Sequence, residues 1–129
     1  MARAFLIFVG LVFAGYGVAC AIDPGLAARL AGLATENGDG FAELGAMYGG
    51  LQSGIGIFCI VAGLSARHRD SGLLLLLLGI GALAVLRGAS AMRTEDLVSS
   101  YTWGALAFES FVTAAAAALL LRSNQGQVA

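Results

Sequence analysis

Four long runs of apolar residues, Ala4–Ile22, Phe41–Leu64, Gly72–Ala91 and Leu97–Leu121, constrain this chain more than any other feature. Crossing a hydrocarbon core of roughly 30 Å takes about 20 apolar residues in a helix, and each run meets that length. Only 12% of the 129 residues are charged and 59% are hydrophobic, whereas about a quarter of an average soluble domain is charged. A soluble fold would expose large apolar patches, which argues against a soluble enzyme, a disordered segment and a nucleic-acid-binding module. The expectation is an all-α polytopic membrane protein with residues 1–129 as one integral membrane domain. Its architecture would be a four-transmembrane-helix bundle with a short interfacial helix between the first and second spans.

The breaks between runs carry the local signals. Arg3 precedes the first run, and Asp23-Pro24 closes it because proline disfavours a helical residue before it. A signal peptide is the competing reading of this run, but its apolar stretch exceeds a signal core of about 7 to 15 residues. From Gly25 to Leu33, the spacing of Leu26, Leu30 and Leu33 with Arg29 opposite predicts a short amphipathic helix at an interface. Thr35–Gly40 reads as an aqueous loop, Ser65–Ser71 as a charged turn, Met92–Asp96 as another turn, and Arg122–Ala129 as a polar tail. The third run begins with Leu73–Leu78 and is greasy all round until Arg87.

Net charge is −1, and all seven basic residues are arginines. The lack of lysine excludes a Schiff-base mechanism and a P-loop lysine, and no basic footprint points to nucleic acid. With an even number of spans, Arg3, Arg67, Arg69 and Arg122 share one side against Arg29 and Arg93 on the other, which favours cytoplasmic termini. Cys20 and Cys59 then lie near opposite faces and read as small packing residues rather than a disulfide. His68, the single histidine, sits between two arginines in a polar turn and reads as solvated, not as a metal ligand. Trp103 and Tyr101 fit an aromatic belt at a membrane interface.

Ionisable side chains inside apolar runs cost at least a few kcal/mol unless they are paired or wet. Glu43, Arg87 and Glu109 are such residues. Helical side chains lean toward the helix N-terminus, so Arg87 on the third span and Glu109 on the fourth lean toward each other. This predicts an Arg87–Glu109 contact, with Glu43 as a second acceptor for the five-donor guanidinium. The cluster is either a ligand site or a clasp that fixes helix register. Tyr48 and Gln52, four residues apart, share a helix face and join the candidate cluster. Glu43 and Gln52, nine apart, lie on nearly opposite faces, so one cavity touching both would need a bend at Gly49-Gly50. Ala46, Gly50 and Gly54 form a small-residue stripe, and with Gly49 they are the expected helix-packing residues, within one chain or along a homodimer seam.

Glu43, the run Ala46-Met47-Tyr48-Gly49-Gly50, Gly54, then Arg87 with Ser90, and finally Glu109 appear in an order that resembles one known group. The group is the uncharacterised bacterial four-helix membrane proteins catalogued as domain-of-unknown-function family 4345, and the likeness spans about two thirds of the chain. The resemblance implies a four-helix bundle and, with the arginine bias, a bacterial inner membrane location. It implies no activity, because the group has no settled function and a fold does not supply one. The chain departs from the family's pattern at Gly45, where such proteins often carry a basic residue. Arg87 must then serve both glutamates, or Glu43 must be protonated or wet.

Three functions remain in view. The first is a small membrane scaffold or accessory protein whose polar cluster sets its own packing. The second is a carrier or lipid- or hydrophobic-ligand-binding protein that uses Glu43, Arg87, Glu109, Tyr48 and Gln52 as a polar site. The third is an enzyme acting on a lipid or quinone. No nucleophile with an adjacent base, metal motif or phosphate loop is present in the sequence, so no catalytic residue, metal or cofactor is assigned. The expected partners are membrane lipids, with a homo-oligomer or a larger membrane complex left open.

Overall fold

The computed structural model describes residues 1–128. All its regular structure is helical, and four helices are long and apolar enough to cross a membrane: α1 (Ala2–Ile22), α3 (Gly38–Leu64), α4 (Ala66–Ala91) and α5, whose apolar part is Ser100–Ser123. The short α2 (Gly25–Ala31) joins α1 to α3.

Local chemistry places the helix ends. Asp23, held extended before Pro24 at φ −133°, stops α1. Gly32 closes α2 at φ 68°, a left-handed conformation that glycine adopts without strain. Asn37 caps α3 by accepting a hydrogen bond from Gly40 N at 3.0 Å. Between α3 and α4 the chain reverses in one extended residue, Ser65. The charged segment read as a turn over Ser65–Ser71 is helical from Ala66 onward, first as a tight 3₁₀ turn over Ala66–His68. Likewise α5 continues through the polar tail to Val128, and it begins at Ser100 rather than Leu97, which is fully exposed. Polarity sets which part of a helix meets water and does not end the backbone ladder.

The long helices run antiparallel in sequence order. Met1 and Arg122 meet at one end, and Ser123 Oγ donates to Asp70 Oδ1 at 3.0 Å there. The opposite end carries α2 and the 92–99 connection. A core of Leu6, Val9, Phe13, Cys59, Ala62, Leu73, Leu76, Ile80, Val112 and Ala116 fills the bundle. Large apolar side chains on every long helix face outward, among them Leu11, Ile57, Val85 and Phe111. Water would penalise such a surface, whereas hydrocarbon would not.

The tightest packing joins α1 to α3, and its glycines are not those of the expected stripe. A Cβ on Gly56 would overlap the Ala14 backbone, one on Gly17 would overlap Ser53, and one on Gly10 would lie 2.7 Å from Gly56 O. Gly63 packs on Ile7 and Arg3, and Gly49 packs on Ala21 at 3.0 Å. Gly49, Gly56 and Gly63 recur every seven residues, as do Gly10 and Gly17, so the seam follows a left-handed heptad geometry. By contrast Ala46, Gly50 and Gly54 face outward, and a Cβ on Gly54 would meet nothing within 4 Å. The expectation that these three pack within the chain is therefore corrected; of the expected set, only Gly49 lies in the seam.

Two stretches depart from α geometry: Gly45–Leu51 in α3 and Leu76–Ile80 in α4 are π-helical. Each π turn holds more residues than an α turn and so rotates everything after it relative to the ideal α phase. Both precede residues that line the site described next.

Candidate functional site

Arg87 projects from the second half of α4, and Glu109 from the first half of α5. Arg87 Nε donates to both carboxylate oxygens of Glu109, at 3.0 and 2.9 Å, while Nη2 donates to Oε1 at 2.8 Å. Glu109 is 5% exposed and is the one buried charged residue among the described residues. Charge-assisted contacts along one guanidinium edge neutralise the pair locally and let the carboxylate stay inside. One turn further along α5, Thr113 Oγ1 donates to the Glu109 carbonyl at 2.8 Å, satisfying its own hydroxyl within the helix.

The pair borders a cavity of about 220 Å³ that all four long helices line. Tyr48 and Gln52 reach it from α3, four residues apart and on one face as the sequence indicates. Val12, Phe13 and Tyr16 contribute from α1, and Leu83 lies beside Arg87 on α4. Along α5 the lining runs from Tyr101 through Ala105 and Phe108 to Glu109. All three tyrosines of the chain therefore meet at one cavity. Tyr16 and Tyr101 approach hydroxyl to hydroxyl at 3.3 Å, long for an O–H···O bond. Phe13 and Phe108 rings lie 6.2 Å apart at 38°. Gln52 Oε1 is buried and accepts no hydrogen bond among the described residues.

The structure brings Arg87, Glu109, Tyr48 and Gln52 together and leaves Glu43 out. Glu43 is exposed, and it lines a separate groove with Leu33, Ala34, Thr35 and Gly40, which Tyr48 also borders. The expected role of Glu43 as a second acceptor for Arg87 is corrected: α3 begins at Gly38, so Glu43 lies near the helix start and faces outward. Of the alternatives that follow from Gly45, an Arg87 that serves both glutamates is not the one observed. Tyr101 also moves, from an expected surface belt into the cavity, while Trp103 stays half-exposed.

Sequence reasoning missed Tyr16 and Phe108. Tyr16 offered a signal, a lone hydroxyl in an uninterrupted apolar run, because a buried tyrosine hydroxyl usually finds a partner. Phe108 offered none, since one phenylalanine in a helix apolar on all sides has no marked face. Cys20 and Cys59 are both buried and free, and His68 is exposed. Among the described residues, no cluster of three or more metal-ligating side chains forms.

At the loop end, Arg29 of α2 donates to Asp23 and ion-pairs with it at 2.5 Å, both side chains being more than half exposed. That hydrogen bond holds the Asp23 carboxyl below its usual range.

Comparison with protein-family models, with curated proteins and with solved structures returned no match for this chain.

Proposed function

We propose that this chain is a small integral membrane protein that binds a membrane-soluble small molecule in the cavity between its four long helices. One observation carries the reading: the Arg87–Glu109 pair, all three tyrosines and an unpartnered buried acceptor on Gln52 converge on that one cavity. Apolar walls with a few convergent polar groups are the usual composition of a ligand pocket. Val12 and Leu83 line the cavity and are also partly exposed on the apolar flank. A ligand dissolved in the bilayer would reach the site sideways between α1 and α4. The proposal places the protein in a bacterial inner membrane with both termini cytoplasmic, from the arginine bias and the resemblance to domain-of-unknown-function family 4345.

The scaffold reading keeps one observation in its favour: Arg87 and Glu109 satisfy each other without any ligand, as a structural clasp requires. The two readings separate on a cavity-filling variant. Wild type and Ala105→Trp are purified in nanodiscs formed from native membranes, and native mass spectrometry reads what stays bound. The proposal expects a defined small molecule on wild type that is lost from a folded Ala105→Trp. An empty wild type, or the same adduct on both proteins, would overturn it in favour of the scaffold.

A further inference from the structure

Resting on the ligand-binding reading, the lining also specifies a chemical class: we infer that the cavity takes an uncharged aromatic ring bearing a hydroxyl group, a phenol-type head. Three features of the site converge on this class.

Charge comes first. The guanidinium edge of Arg87 that reaches Glu109 is fully engaged by it, and beyond this pair and the three tyrosines no other described side chain in the lining is ionisable. The pair is neutral as a whole, so an anionic head would place an uncompensated charge beside the buried carboxylate and a cationic head one beside the guanidinium. The net field favours a neutral ligand.

Hydrogen bonding comes next. The Gln52 side chain lines the cavity, and its Oε1, an acceptor, is buried without a partner among the described residues. A buried acceptor left unmet is unfavourable, so the ligand that gains most is one that brings a donor to it. A hydroxyl does so without adding charge.

Shape and surface complete the class. A cavity of about 150 Å³ holds benzene, so about 220 Å³ suits one ring with small substituents and is below the roughly 300 Å³ where drug-sized pockets begin. Phe13, Phe108 and the three tyrosines surround that space with rings, whose faces and edges favour another ring. Such a ring could be a free phenol or the head of a tailed lipid, with the tail leaving past Val12 and Leu83.

The test uses the full chain in nanodiscs and four probes: 4-butylphenol, its methyl ether, 4-butylbenzoate and 4-dodecylphenol. Binding is read by ligand-observed NMR as the difference from Ala105→Trp, which removes partitioning into lipid. The expected result is saturable phenol binding at least tenfold tighter than the ether or the benzoate. Gln52→Leu should erase the preference for phenol over ether while leaving the ether bound, which simple unfolding cannot do. Equal affinity for phenol and ether would overturn the donor requirement, and tightest binding of benzoate would overturn neutrality; in both cases the ligand-binding reading survives. If no probe binds and native mass spectrometry finds wild type empty, both readings fall. A stronger signal for 4-dodecylphenol than for 4-butylphenol identifies a membrane-borne ligand, and equal signals identify a free one.

Discussion

Arg87 closes on Glu109 with a single edge of its guanidinium, Nε to Oε2 at 2.9 Å and Nη2 to Oε1 at 2.8 Å, across two antiparallel helices. The carboxylate side chain is 6% exposed and the arginine side chain 25%. The two partners are therefore not equivalent when one is removed.

Arg87→Gln should destabilise more than Glu109→Gln. Removing the arginine strands the more deeply buried charge, at a cost of about 3 kcal/mol, while removing the carboxylate leaves a guanidinium that still reaches solvent. Replacing both, as Arg87→Met with Glu109→Leu, should recover most of the loss because no charge remains inside. Thermal unfolding in mild detergent checks the order, and a double variant no better than Arg87→Gln would contradict it.

The glycine seam predicts opposite signs for the same substitution on two faces of α3. Gly56→Ala puts a methyl group into the Ala14 backbone and should cost about 1–3 kcal/mol. Gly54→Ala meets open space and should stabilise by about 0.5–1 kcal/mol through helix propensity. Chemical denaturation of the two variants side by side reads the difference.

Acid should loosen α2. The bond from Arg29 lowers the Asp23 pKa in the folded protein. A carboxyl with a depressed folded pKa contributes stability that is fully present above its unfolded value, about 3.9, and is lost as pH falls through the folded one. Both groups are exposed, so the effect is small and screened by salt. Hydrogen exchange across Leu26–Ala31, corrected for intrinsic rates, should rise below about pH 4 in wild type. In Asp23→Asn it should be raised at every pH and lose its acid step.

Orientation can be read with cysteines. On a background with Cys20 and Cys59 replaced by alanine, His68→Cys should resist an impermeant maleimide added to intact cells, and Thr94→Cys should react. The reverse pattern would place the termini outside. In the native protein both cysteines are buried, so neither should react until the fold is opened.

The number of long helices and the ends at Ile22, Leu64 and Ala91 were legible in the sequence alone, because these depend on local properties, whereas α4 and α5 extend through polar segments that the sequence marks as turn and tail. Apolar run length, the Asp23-Pro24 stop and the glycine at 32 act within a few residues of backbone. The Arg87–Glu109 approach was also legible, since helices joined by a short turn bring facing side chains together whatever the rest of the bundle does. The gathering of Tyr16, Tyr48 and Tyr101, the exclusion of Glu43 and the choice of Gly49–Gly56–Gly63 over Ala46–Gly50–Gly54 as the packed face were decided only in the tertiary structure. A helix apolar on every side carries no sequence mark of which face turns inward. Its rotation is set by what the neighbouring helix offers, here the glycines of α1, and by π turns at Gly45–Leu51 and Leu76–Ile80 that shift the phase of everything beyond them.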